Sequence, residues 1–157
     1  MALTRRQIRE KVLQVLYAQE LSKDPIEKVK KDLLQDLDDK DSFIFAEKLI
    51  QYSIDNRQRY DDLIKTTVDN WDIERIALLD FIIIKMCLSE FFYFEEIPPK
   101  VSINEAIDLA KDFSTRNSGK FVNGILDSLL NSLVDKGEIK KKGKGLISQS
   151  IKSKNEP

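Results

Sequence analysis

The sequence predicts an all-α protein. Apolar residues recur at helical spacing along nearly the whole chain, and Gly and Pro are confined to a few breaks. No segment alternates apolar and polar residues between turn signals, as a half-buried strand would.

Thr4 and Gln7 form a capping-box pair, and Ile8, Val12, Val15, Leu16 and Gln19 share one face of a first helix from about 4 to 21. Asp24, Pro25 and Glu27 suit the N-cap, first and third positions of a short second helix. A third, the longest, begins near Asp41 and carries Phe45, Leu49, Tyr52, Asn56 and Tyr60 towards Val68. Trp71 can staple onto Ile76, which predicts a fourth helix from about 72 to 94, apolar nearly all round at its centre. Ile97-Pro98-Pro99 ends it, and Ser102 with Glu105 reads as a capping box opening a fifth helix to about Phe113. After a polar turn over 114–119, Phe121, Ile125, Leu129 and Leu133 define a sixth helix ending near Lys136-Gly137. The Pro25 turn and the stretch around Asn70 are the candidate seams, and the second separates two helical groups, about 4–68 and 71–136. Beyond 137 the chain is rich in Lys, Gly and Ser, which predicts a disordered basic tail over 138–157.

The 157 residues, 41% of them hydrophobic, suffice for a real core, since folding at this length buries roughly 70% of the extended-chain surface. The single cysteine, Cys87, rules out an intramolecular disulfide. The start of the chain is polar and basic, and no stretch approaches a membrane span, so the expected location is the cytoplasm, with no membrane partner. The net charge of -1 conceals a division: residues 1–12 sum to +3, 136–157 to +5 and 13–135 to -9. Clustered cations at the ends of an acidic body suit a polyanion, although a solvated tail and a charged helix end would look the same.

The chain has no histidine, which removes the commonest general base and the commonest zinc ligand. Cys87 lies in the most apolar helix and reads as structural. With no nucleotide cradle or metal-ligand spacing either, the expectation is a binding protein without catalytic residues, metal or cofactor. The informative feature is the first helix. Arg5, Arg6 and Arg9 occupy a wedge of about 100 degrees that continues the stripe of Val12 and Leu16. Guanidinium forks aimed to one side suit phosphates and base planes.

Three stretches carry a family resemblance: Arg9-Glu10 leading to Leu16-Tyr17, the run from Ile97 to Ala106, and the run from Lys120 to Asp127. Their order and spacing over about residues 4 to 134 resemble the NusB family of bacterial transcription antitermination factors. The resemblance implies two helical bundles side by side and binding to the single-stranded boxA element of ribosomal RNA leaders. It also implies a heterodimer with ribosomal protein NusE, an indirect link to the RNA polymerase elongation complex, and a homodimer when free. Carried onto matching positions, it assigns RNA contacts to Arg5, Arg6 and Arg9 and to Lys111, Phe113, Arg116, Asn117, Ser118 and Lys120. Tyr17 and Glu74 match positions used against NusE. Asn104, Glu105, Asn123 and Gly124 read as structural, through capping and a close helix approach at the glycine. A helical protein-protein adaptor is the alternative from another class, and a targeting domain of an RNA methyltransferase is a weaker third.

Overall fold

Helical segments account for the regular structure in the computed structural model, which describes residues 3–68 and 76–146. Among the described residues seven α-helices follow in order: α1 (Arg5–Ser22), α2 (Ile26–Leu33), α3 (Lys40–Asp55), α4 (Arg57–Thr67), α5 (Leu78–Tyr93), α6 (Pro99–Phe113) and α7 (Ser118–Asp135). No strand occurs among the described residues. Trp71, Asp72, Glu74 and residues 147–157 lie outside them.

The α1 capping box forms as read: Thr4 accepts from the Gln7 amide, and the Gln7 side chain accepts from the Thr4 amide. The long third helix does not. It divides into α3 and α4 at Asn56, whose φ of -104 and ψ of 16 leave the helical range. The Asn56 side chain donates to the carbonyl of Tyr52 and accepts from the Tyr93 hydroxyl at 3.0 Å, so a local side-chain bond fixed by a distant residue interrupts the ladder.

Two further expectations are corrected. The fourth helix starts at Leu78, not near 72, because Ala77 is extended. Ser102 and Glu105 are not a capping box: α6 opens at Pro99, whose fixed φ suits a first helical position, and Ser102 lies inside the helix with its hydroxyl on Glu90. The end of α7 follows the pattern. Gly137, at φ 70, closes it with Glu138 N–H on the Leu133 carbonyl and Gly137 N–H on that of Val134, a Schellman arrangement.

Helices α1 to α3 pack together, as do α5 to α7, while α5 also lies against α1 and α3 and α4 touches α5 and α7. Buried apolar residues from all seven helices form one continuous core around α5, so the two bundles share it. A buried hydroxyl chain reinforces that seam, with Ser53 and Ser89 3.2 Å apart and Ser89 donating to Tyr60.

The chain beyond 137 departs from the expected disorder over the part described here. Lys141 is buried, and its ammonium donates to the carbonyls of Glu90 at 2.9 Å and Phe94 at 2.8 Å, capping the C-terminal end of α5. Lys142 N–H donates to the Glu95 carbonyl, and a short 3-10 turn, Gly143–Leu146, follows. Gly145 packs so closely on Glu95 that a Cβ there would collide with its carbonyl. Residues 138–146 are therefore a strap across the end of α5.

Candidate nucleic-acid interface

The three arginines of α1 have three different environments. Arg9 is buried at 4% exposure, with Nε and Nη2 donating to the two carboxylate oxygens of Glu90 at 2.8 and 2.7 Å. Ser102 donates to the same carboxylate at 2.8 Å. Burial opposes the Arg9 charge, but the bidentate carboxylate more than offsets it and holds the guanidinium pKa above its ordinary value. Arg9 is thus a structural residue joining α1, α5 and α6, which corrects its assignment to RNA.

Arg6 is exposed and bridges to α6 through Glu105, at 3.1 Å, and Asp108. Those hydrogen bonds and charges raise its pKa. Arg5 is exposed as well, its guanidinium 3.9 Å from the centroid of the Phe45 ring. Partial burial, followed by the neighbouring charge of Arg9, lowers its pKa, so an arriving anion relieves an existing repulsion.

The second group surrounds the turn between α6 and α7. Lys111, Phe113, Arg116, Asn117 and Lys120 are all exposed, and Phe113 presents an unburied ring at 38% exposure. Ser118 is different. It is buried, donates to Asp80 Oδ2 at 2.8 Å and accepts from the Thr115 amide, so its side chain shapes the turn and does not join the exposed group. Asp80 stands in the first turn of α5 beside the first residue of α7, where two positive helix ends meet a carboxylate. Gly119 allows the close approach: a Cβ there would lie 2.9 Å from Lys111 Cε. Gly124, expected to do this, is exposed with open space around it.

The two groups meet along α6. Asp108, which holds Arg6, precedes Lys111 by less than one turn, and Asp112 adds to the field at Arg6. The exposed start of α1 and the α6–α7 turn therefore flank one stretch of α6. Of the partner residues, Tyr17 is half-buried against the core, while Glu74 lies outside the described residues.

Sequence reasoning missed Glu90, Lys141 and the tyrosine pair Tyr52 and Tyr93, which stack at 4.0 Å between centroids. Glu90 left a signal, since an acid on the buried phase of an apolar helix needs a cation. Lys141 left none among its neighbouring lysines. Cys87 is buried, and burial pushes its thiol pKa up, which suits its structural reading. No group of metal-binding side chains and no helix long and apolar enough to cross a membrane occurs among the described residues.

A model of the NusB family matches residues 6–131. The transcription antitermination protein NusB of Chloroherpeton thalassium is 45% identical over 157 residues, covering 97% of this chain and 73% of the relative. That of Salinibacter ruber is 41% identical over 146 residues, covering 92% and 91%. Among solved structures, T. maritima NusB superimposes with a TM-score of 0.77 at 32% identity, covering 83% of this chain and 93% of that one. A complex of the antitermination factors NusB and NusE with double-stranded RNA matches with a TM-score of 0.73 over 82% and 96%, and at 22% identity it speaks for the fold alone. On the family match and these identities, the chain belongs to the NusB family.

Proposed function

We propose that this protein is a non-catalytic, RNA-binding transcription antitermination factor of the cytoplasm that takes boxA-like single-stranded RNA together with ribosomal protein NusE. The observation that carries this reading is the convergence of exposed Arg6, one residue from exposed Arg5, with Lys111, Phe113, Arg116, Asn117 and Lys120 along α6, on a body whose central part is acidic. Phosphates need clustered cations, and an unpaired base needs an exposed ring or guanidinium plane; this face offers both. The names of its relatives support the antitermination reading.

The finer parts rest on the family resemblance. Tyr17 and Glu74 would meet NusE, the elongation complex would be reached through that assembly, and the free protein would self-associate. The bundles would divide at about 4–68 and 71–136.

Titrating boxA-like and scrambled RNA, with and without NusE, against wild type and the Arg5→Ala/Arg6→Ala variant tests the reading. The variant should keep its helicity, lose roughly 1 to 3 kcal/mol of affinity and show a shallower salt slope. A protein that binds NusE and ignores both RNAs would be an adaptor, and the proposal would fail.

A further inference from the structure

Arg5 points away from the α6–α7 turn, towards an open groove of about 320 Å³ between α3 and the C-terminal end of α5. Arg5, Ile44, Lys48, Tyr52, Tyr93 and Glu96 line it. The volume falls at the lower end of small-ligand sites. Its aromatic wall is the stacked pair Tyr52 and Tyr93, whose planes differ by 5° and of which Tyr93 is 38% exposed. The Tyr93 hydroxyl is tied to Asn56, so the ring is preorganised. Lys48 and Arg5 are exposed cations on opposite elements, and the carboxylates of Asp41 and Glu96 stand at the same groove as acceptors.

The strap adds to this face. It crosses Glu95, which lies between groove residues Phe94 and Glu96, and is anchored by buried Lys141. Lys140 and Lys144 remain exposed, while Lys142 pairs with Glu95 at 3.1 Å. A fixed ring, flanking cations for phosphates and carboxylates able to accept from base amino groups together match one occupant, an unpaired nucleotide.

We propose that the groove between α3 and the end of α5 is a subsite for a single-stranded RNA nucleotide, with Tyr93 as its base platform and Arg5 and Lys48 as its phosphate contacts. It rests on the RNA-binding reading above and makes the start of α1 the middle of the RNA track: one arm runs along α6 to Lys120, the other through the groove to the strap.

The test uses the full chain and a single-stranded boxA-like RNA, alone and extended with unstructured nucleotides at either end. Wild type should bind one extended RNA more tightly than the core sequence. Tyr93→Ala should abolish that gain and weaken binding at least about fivefold, while Tyr93→Phe, which keeps the ring and loses only its tie to Asn56, should weaken it by less and keep part of the gain. Lys48 is exposed, so Lys48→Glu keeps the test open if Tyr93→Ala does not fold; it should weaken binding and reduce the salt slope by about 1. Wild-type affinity in both Tyr93→Ala and Lys48→Glu, with loss in Lys120→Ala, overturns the subsite and leaves the RNA-binding reading standing. Groove variants that lose NusE but keep RNA overturn it in favour of a protein occupant. Failure of wild type to bind any RNA removes the functional reading itself.

Discussion

Helix α5 carries a buried carboxylate near each end, Asp80 and Glu90, and the two are satisfied in opposite ways. Glu90 has a bidentate guanidinium, a hydroxyl and, on its backbone carbonyl, the Lys141 ammonium. Asp80 has the Ser118 hydroxyl and the ends of two helices, and its Oδ1 has no hydrogen-bond partner among the described residues. One end is locked by full charges from α1 and the strap. Among the described residues the other is held by a hydroxyl and by helix dipoles. Loss of a partner should therefore cost more at Glu90, where full charges meet, than at Asp80, where the described partners are a hydroxyl and dipoles.

The largest expected effect would break this contrast if absent. Arg9→Ala leaves Glu90 buried and uncompensated and should cost about 3 to 5 kcal/mol in denaturant unfolding, whereas Arg9→Met/Glu90→Leu should cost less than either single change. At the other end, Asp80→Asn removes the charge but keeps an acceptor for Ser118. A cost of about 1 kcal/mol is expected from the lost attraction to the helix ends, and a cost matching that of Arg9→Ala would show the two ends to be equally rigid.

Lys141 sharpens the comparison through pH. Burial lowers its pKa from 10.5 to about 8. A base whose folded pKa is depressed contributes stability that is present above the unfolded value and lost as pH falls through the folded one. The melting temperature of wild type relative to Lys141→Met should therefore rise between pH 8 and 10.5. The gain should be up to about 2 kcal/mol, and a flat difference would show the ammonium to be solvated.

The smallest effect concerns α7. Gly124→Ala should stabilise by about 0.5 to 1 kcal/mol, because its Cβ meets nothing. Gly119→Ala should gain less, since Lys111 must move, and thermal unfolding of the pair checks the order.

How much of this was legible depended on the range of the cause. The capping box at Thr4, the apolar α5 and the glycine stop after α7 are written in neighbouring residues, and each was read correctly. The break at Asn56 depends on Tyr93, 37 positions away, and local periodicity runs straight through it. The Ser102 pattern mimics a cap because a hydroxyl and an acid three residues apart occur for other reasons, here Glu90 and Arg6. The arginine wedge was placed on the correct side of α1, yet the partner that buries Arg9 lies 81 positions on. The exposed residues of the α6–α7 turn lie in one polar segment and are legible as such, whereas the burial of Ser118 is not, because nothing nearby names Asp80.

The Arg9 fork has a consequence for how α1 is aimed. At about 100 degrees per residue, Arg5 and Arg6 stand roughly 40 and 60 degrees to either side of Arg9. A guanidinium gripped at two oxygens resists rotation about the helix axis, so Glu90 fixes the first turns of α1 in the phase that its buried apolar face sets further along. With that phase held, Arg5 faces the groove and Arg6 faces α6. If the fork opened, Ile8, Val12, Leu13, Val15 and Leu16 would still hold the body of α1 in the core, and the loss would fall on its first turn, where both exposed arginines would leave their bearings at once.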